Sequence, residues 1–173
     1  MSDVLEKLKR GNDAFVKRKA FLGALSAERM RENADGQKPY AVVVACSDSR
    51  VIPEAIFGAG IGNLFTVRVA GNVISGAVLG SVEYAVDHLG AETVIVLGHT
   101  RCGAVDATLH GESSGHIKIL TESIRKAIGA EKDPLIATEK NAQRGADRLN
   151  AAIPKAKAVA AVYDIVDGSV RFL

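Results

Sequence analysis

Short runs of β-branched residues that lack polar alternation constrain the fold of this 173-residue chain more than any other feature. Val42, Val43 and Val44 form one run, and residues 93–98, TVIVLG, form another. Strands that are apolar on both faces are typical of a parallel sheet covered on both sides, whereas a half-exposed sheet shows alternation. The sequence therefore predicts buried strands over about 41–46 and 93–98.

Helical patterns separate these strands. Residues 75–89 carry one apolar helical stripe, and Gly90 follows them as a C-terminal cap. Pro53 suits the first turn of a short helix that continues to Phe57. Residues 64–70, LFTVRVA, predict a further strand. Strands that alternate with helices indicate an α/β fold with a mostly parallel sheet.

The N-terminal segment predicts one or two amphipathic helices, because its apolar residues recur at helical spacings. These residues are Val4, Leu5, Leu8, Phe15, Phe21, Leu22 and Leu25. Residues 34–39, ADGQKP, are typical of a turn and end the helical segment. We therefore expect an N-terminal helical arm over residues 1–34.

The C-terminal half predicts helices followed by a hairpin. Residues 103–153 have the polar character and the wide apolar spacing of two or three helices, with breaks near Gly111, Gly115 and Pro134. The Asp-Gly pair at 167–168 stands between two apolar runs. This pair predicts a two-residue turn and an antiparallel last strand.

The predicted fold is a single α/β domain that covers residues 1–173. Its central sheet has four mostly parallel strands and an added C-terminal antiparallel strand, and helices flank it. Ligands of such sheets bind beyond the carboxyl ends of the strands. We therefore expect the functional residues at those ends.

The composition excludes several classes of protein. Hydrophobic residues make up 47% of the chain and the formal net charge is only +2, so the chain is neither a disordered segment nor a strongly basic nucleic-acid binder. No apolar run reaches the length that spans a membrane, and the N-terminus lacks the apolar core of a signal peptide. We therefore expect a cytoplasmic protein with no membrane or nucleic-acid partner.

The first buried strand runs into CSDSR, residues 46–50. Cys46, Asp48 and Arg50 occupy alternate positions, and alternate residues of an extended segment point to the same side. A thiol, a carboxylate and a guanidinium thus converge where the strand ends. On this stretch alone, a buried structural cysteine beside a local ion pair is the simpler interpretation.

A second polar group follows the strand over 93–98. His99 and Cys102 stand three residues apart in GHTRC, and Cys46 joins them if the first and third strands are neighbours. Two sulfurs and one imidazole nitrogen suit tetrahedral zinc, and three protein ligands leave a fourth position for water or substrate. The cysteines lack the CxxC spacing of thiol redox proteins, so a catalytic zinc site is predicted. The other histidines are predicted to lie on the surface: His88, His110 and His116.

These motifs resemble those of the β-carbonic anhydrases, in which Cys-x-Asp-x-Arg is followed further along the chain by His-x-x-Cys. The resemblance extends through GQKP, LFTVRVAGN, SVEYAVDHLG, VIVLGHTRCGAV and AVYDIVDGSV. It implies one Zn²⁺ per chain, held by Cys46, His99 and Cys102. It also implies that Asp48 and Arg50 are the catalytic pair.

The resemblance further implies a substrate pocket. Gln37, Phe65 and Tyr84 stand where the family lines its carbon dioxide pocket, and Gly103 offers a backbone donor to bicarbonate. Because some pocket residues of the family come from a partner subunit, a homodimer is implied, with a tetramer built from dimers as the larger alternative. Without the resemblance, Phe65 and Tyr84 would be interpreted as core residues and Gln37 as a turn residue. Gly103 would be interpreted as a residue that gives the turn after Cys102 its backbone freedom.

The implied activity is the reversible hydration of carbon dioxide to bicarbonate and a proton. Zinc lowers the pKa of bound water to about 7, so a zinc-bound hydroxide is the expected nucleophile at neutral pH. Asp48, held by Arg50, is expected to accept a hydrogen bond from that hydroxide. Two alternatives stay open: hydrolysis of carbon disulfide or carbonyl sulfide at the same site, and a catalytically silent zinc-binding scaffold. The Asp48–Arg50 pair argues against the scaffold, because a structural site needs neither residue.

Two departures from the family bear on regulation and assembly. Some bacterial members carry a tryptophan three residues before the first zinc cysteine and form an inhibitory bicarbonate pocket, but that position is Val43 here, with Ala45 next to the cysteine. We therefore expect Asp48 to stay on Arg50 at neutral pH instead of binding zinc. The segment IPKAK, residues 153–157, is shorter than in many relatives and leaves the outer surface there unassigned.

Overall fold

A five-stranded sheet forms the centre of the protein in a computed structural model that describes residues 1–17, 23–111 and 113–173. The strands are β1 (Ala41–Ala45), β2 (Leu64–Arg68), β3 (Thr93–His99), β4 (Lys157–Tyr163) and β5 (Val170–Phe172). They lie in the order β2-β1-β3-β4-β5. The first four are parallel, and β5 is antiparallel to β4. This topology confirms the predicted fold class.

Helices flank the sheet on both faces. In chain order they are α1 (Ser2–Val16), α2 (Ala27–Glu32), α3 (Pro53–Ile56), α4 (Gly76–Leu89), α5 (Gly103–Leu109), α6 (Ile117–Ile128) and α7 (Pro134–Ala152), and a 3₁₀ turn covers Ala70–Asn72. The last three helices confirm the helical prediction for residues 103–153. None of the helices in the described ranges is long and apolar enough to cross a bilayer.

β1 and β3 are buried along their whole length, as the absence of alternation predicts. Their side chains divide between two apolar cores, because successive residues of a strand point to opposite faces. Val42 and Val44 pack with α4 and α7 on one face. Val43 packs with residues of α1 and α3 on the other face. The two central strands are therefore packed on both faces, which fixes the positions of their carboxyl ends.

Local sequence signals set the ends of the helices beside the sheet. The Ser75 hydroxyl accepts a hydrogen bond from the Val78 N–H at the start of α4, and Gly90 ends that helix in the left-handed conformation, with φ at 70°. The Asp133 carboxylate caps α7, whose first residue is Pro134. These caps confirm the predicted boundaries at Gly90 and Pro134.

α1 packs on the sheet of its own chain. Leu8 is fully buried in the second core. The Asn12 side chain donates to the carbonyls of Ile56 at 3.2 Å and Gly168 at 2.8 Å, and it accepts from the Val170 N–H at 2.8 Å. The first part of the N-terminal segment therefore contributes to the core of a single chain.

Two local predictions need correction or fall outside the described ranges. Phe21 and Leu22, which were expected on a helix, lie outside the described residues. Leu25 lies between α1 and α2 and is 61% exposed, so it does not extend an apolar helical stripe. α2 begins later because the Ser26 hydroxyl caps it through the Arg29 N–H.

The predicted two-residue turn at 167–168 is wrong. Tyr163 pairs with Val170, so residues 164–169 all belong to the loop between β4 and β5. The Asp164 carboxylate accepts from the Val166 N–H at 2.7 Å, and a second aspartate in the loop makes a similar turn. Such side-chain turns compete with strand pairing and widen the connection.

Candidate metal centre

The carboxyl ends of β1 and β3 bring the predicted metal ligands together. Ala45 pairs with Leu97 in the parallel register, so Cys46, the residue after Ala45, and His99, the last residue of β3, lie close together at the carboxyl ends of the two strands. Cys102 lies at the N-terminus of α5. The ligand atoms of the three residues lie within 4.8 Å of one another, and all three residues are buried. This confirms the predicted cluster of two sulfurs and one imidazole.

The His99 ring is oriented to act as a ligand. Its Nδ1 lies 2.9 Å from the Thr100 carbonyl oxygen, so Nδ1 carries the proton and Nε2 keeps a free lone pair. Nε2 is buried and has no hydrogen-bond partner among the described residues. A buried nitrogen without a partner is costly, and a metal ion bound between the two sulfurs would remove that cost.

The two cysteines are hydrogen-bonded to each other, so that one is deprotonated more easily than a free thiol and the other less easily. The hydrogen bond with the Cys102 thiol is the main cause that lowers the pKa of Cys46 to about 4, and the same contact raises the pKa of Cys102. Cys46 Sγ also accepts from the backbone N–H groups of Gly71, at 3.2 Å, and Asp48, at 3.4 Å. The pair thus holds one thiolate by itself, and a dication would favour the deprotonation of both.

Asp48 and Arg50 form a fixed ion pair at the edge of this cluster. Arg50 donates Nε to Asp48 Oδ1 at 2.9 Å and Nη2 to Oδ2 at 2.7 Å, and its backbone N–H also reaches Oδ1. The guanidinium hydrogen bonds hold the pKa of the Asp48 carboxyl well below its usual range. Oδ2 lies 4.0 Å from His99 Nε2. An ionised acceptor therefore borders the space that the three ligand atoms surround.

Three residues that the sequence interpretation did not assign support the loop after β1. Arg68, the last residue of β2, donates to the carbonyls of Cys46 at 3.1 Å and Asp48 at 2.6 Å. The Asn141 side chain donates to the Gly71 carbonyl at 2.8 Å, and the Gly71 N–H reaches Cys46. An arginine that ends an otherwise apolar strand was the one signal in the sequence that could have indicated such a role.

Gly71 cannot be replaced by a larger residue without disturbing this support. Its φ is 67°, in the left-handed region that favours glycine. A Cβ there would lie 2.8 Å from the Ile124 side chain. The backbone donor to Cys46 therefore depends on glycine at this position.

The predicted pocket residues divide into two groups. Gly103 is the first residue of α5 and lies next to Cys102. Phe65 pairs with Val42, four residues before Cys46, which is about 13 Å along a strand. Gly103 thus lies at the metal cluster, whereas Phe65 lies towards the opposite end of the sheet.

Tyr84 and Gln37 belong with Phe65. The rings of Phe65 and Tyr84 are 6.2 Å apart, and the Tyr84 side chain on α4 is 49% exposed. Gln37 is exposed in the turn before β1. Within one chain, the structure does not bring these three residues to the metal cluster. We call the exposed surface of Phe65 and Tyr84 the aromatic face.

Comparison with known protein families supports the interpretation of this site as a metal centre. The family model described as carbonic anhydrase matches residues 41–170, which include β1 to β5 up to the first residue of β5. The chain belongs to the β-carbonic anhydrase family. β-Carbonic anhydrases are zinc enzymes, and the sulfur, sulfur and nitrogen ligands found here fit zinc.

Individual relatives and structures show how far the similarity extends. The chain is 48% identical over 108 residues to carbonic anhydrase 2 of Mycobacterium tuberculosis, a match that covers 62% of this chain and 52% of the relative. It is 44% identical over 126 residues to a carbonic anhydrase of Mycolicibacterium smegmatis, covering 70% and 61%. The chain thus spans about half the length of these curated relatives. The crystal structure of the β-carbonic anhydrase CafA of Aspergillus fumigatus superimposes with a TM-score of 0.75 at 26% identity, covering 99% of this chain and 89% of that one.

Proposed function

We propose that this member of the β-carbonic anhydrase family catalyses the reversible hydration of carbon dioxide to bicarbonate and a proton. The observation that carries the proposal is the juxtaposition of two features. Cys46, His99 and Cys102 form a buried ligand set, and the Asp48 carboxylate lies 4.0 Å from His99 Nε2. A purely structural zinc site would need no carboxylate beside its ligands.

Each residue of the site has a definite part in this chemistry. Cys46, His99 and Cys102 would hold a zinc ion, which would lower the pKa of a water at the open position to about 7 and so make hydroxide available at neutral pH. Asp48 stays ionised and can therefore only accept hydrogen bonds, which orients a water or hydroxide beside it. Arg50 holds that carboxylate through two side-chain hydrogen bonds. The Gly103 N–H, at the start of α5, is a donor for a bicarbonate oxygen.

Stopped-flow hydration of carbon dioxide by the zinc-loaded protein tests this proposal. We expect turnover that depends on zinc content and falls in an Asp48→Asn variant that retains its zinc, because an amide cannot replace an anionic acceptor. Carbonyl sulfide and carbon disulfide serve as comparison substrates. Turnover of these two without turnover of carbon dioxide would reject the proposal, and so would zinc-loaded protein that is inactive on all three.

We further propose a homodimer in which the aromatic face of one chain completes the pocket of the other. The support is the separation described above, since the strand position of Phe65 lies about 13 Å along the sheet from that of Cys46 in the same chain, and the Tyr84 ring lies 6.2 Å from the Phe65 ring. An exposed aromatic pair is also the kind of surface that interfaces enrich. The contact of an N-terminal arm, residues 1–34, with the partner chain remains a prediction. Because α1 also packs on its own sheet, deletion of the arm would not test the dimer cleanly.

Mixed dimers provide a cleaner test. Cys102→Ser chains lack a metal site but keep Tyr84, and Tyr84→Ala chains lack the tyrosine but keep the metal site. If Tyr84 acts on the partner's site, unfolding and refolding the two variants together should restore hydration beyond the sum of the separate samples. The matched control mixes Cys102→Ser with Arg50→Ala, whose defects lie in the same site, and should restore nothing. Equal behaviour of the two mixtures would reject the shared pocket.

A further inference from the structure

A cavity of about 260 Å³ lies between α6, α7 and the segment that begins at the end of the 3₁₀ turn, and none of the metal ligands lines it. None of the residues that line it is acidic. The lining residues with polar or charged side chains are Asn72, Ser123, Lys126, Asn141, Arg144 and Arg148. Three cations therefore share one concave site with a hydroxyl and two amides.

The positive charge of this cavity is not neutralised within the described part of the chain. Lys126 and Arg144 have no ion-pair or hydrogen-bond partner among the described residues. Arg148 uses one N–H for the Ile74 carbonyl, at 2.6 Å, and a guanidinium has five such donors. By contrast, Lys155 and Lys157 on the same protein each pair with a carboxylate. An anion in the cavity would reduce the mutual repulsion of the three cations.

The wall of the cavity also contains an unsatisfied amide. Asn72 is 2% exposed, and its Nδ2 has no hydrogen-bond partner among the described residues. Its neighbour in the wall, Asn141, has one amide hydrogen engaged by the Gly71 carbonyl and one left over. Asn72 therefore brings a buried N–H donor, unpaired within the described part of the chain, to the wall of the cavity. Buried donors of this kind favour a ligand that carries several acceptor oxygens.

We propose that this cavity binds a small dianionic oxyanion of the phosphate class. Three cations exceed what a monocarboxylate would neutralise, and the two amides and the Ser123 hydroxyl suit the several oxygens of a tetrahedral anion. The proposal is independent of the hydration activity, because none of the metal ligands lines the cavity.

Calorimetric titration of the zinc-loaded protein with inorganic phosphate tests the site. We expect saturable binding of one phosphate per chain, weakened at least tenfold in an Arg144→Gln, Lys126→Gln double variant. Both side chains are exposed, so the variant should fold normally. The matched control is Arg31→Gln with Lys132→Gln, which removes the same charge from two other exposed positions and should leave the affinity unchanged.

Competing anions identify the class of ligand. Sulfate should displace phosphate at similar concentrations, whereas chloride and acetate at equal ionic strength should not. Phosphate held at the metal would be insensitive to Arg144 and Lys126, so equal affinities of the parent and the double variant would overturn the proposal. Absence of saturable binding, or displacement by chloride as effective as by sulfate, would also overturn it.

Discussion

The metal cluster and the aromatic face differ in how much of each a single chain completes. The three ligands of the cluster are at most 5% exposed, and backbone donors and two supporting side chains hold them. On the aromatic face, Tyr84 is 49% exposed, and its ring contacts those of Phe65 and the exposed His88. The difference supports the two proposals made above, that one chain holds the metal ligands by itself and that a partner chain completes the substrate pocket.

Cys102→Ser should have the largest effect, because it removes one of the three ligands of the metal cluster, the region that a single chain completes. Even changes to the residues behind a metal ligand lower metal affinity by about 10–100-fold, so loss of a ligand should abolish stoichiometric zinc and reduce hydration to the uncatalysed rate. Metal analysis and stopped-flow assays measure both. Thr108→Ser, on the same helix and also buried, is the control and should keep zinc. A Cys102→Ser protein with one zinc per chain would show that the ligand assignment is wrong.

Arg50→Ala should separate catalysis from metal binding within the same region. The change releases the Asp48 carboxylate from its two-point contact, and hydration should fall by about 10²-fold, as for other positioned catalytic groups. Zinc content should equal that of the parent. Arg50→Lys keeps the charge but loses the paired geometry, so its rate should lie between the two. An Arg50→Ala variant as active as the parent would remove Asp48 and Arg50 from the mechanism.

Tyr84→Ala should affect assembly and turnover without affecting the metal. We expect hydration to fall by about tenfold, equivalent to about 1.4 kcal/mol in the barrier, with a shift towards monomer in sedimentation velocity. Ile119→Ala removes another exposed apolar side chain, 67% exposed on α6 and outside the predicted arm, and should change neither property. A fully active Tyr84→Ala monomer would mean that one chain completes its own pocket. The proposal that the aromatic face serves a partner chain would then be wrong.

Arg68→Ala should have the smallest effect, because the residue holds backbone atoms behind the site and not the ligand atoms themselves. We expect zinc affinity to fall by about tenfold, the lower end for such supporting contacts, while hydration at saturating zinc changes little. Competition with a chromophoric chelator measures the affinity. An affinity identical to that of the parent would show that the β1 loop is held without Arg68.

The sequence predicted the parts of the molecule that depend on local patterns. β1 and β3 were recognisable because their valine-rich runs lack alternation, and α4 because its apolar residues form one helical stripe that Gly90 ends. The metal ligands were recognisable because each follows a strand and has a distinctive side chain. The wide loop before β5 was missed because the Asp-Gly pair is typical of a tight turn, while the carboxylate of Asp164 stabilises a longer one.

Other features depend on contacts that no local pattern contains. Arg68 reaches the loop after Cys46 only because β2 lies beside β1. Asn141 reaches Gly71 only because α7 packs over the sheet. The proposed pocket role of Phe65 and Tyr84 rests on the family resemblance, because the structure of one chain does not bring them to the metal cluster.

The ligand set of the metal centre also has a consequence for the order of folding. Cys46 precedes His99 by more than fifty residues, and β2 and α4 lie between them. His99 and Cys102 are neighbours in sequence, but Cys46 joins them only when β1 pairs with β3, and formation of such distant contacts is a slow step in folding. Zinc should therefore enter a nearly folded chain. Once bound, it closes a long loop and slows unfolding, so removal by a chelator should shorten the lifetime of the native state more than it changes its average structure.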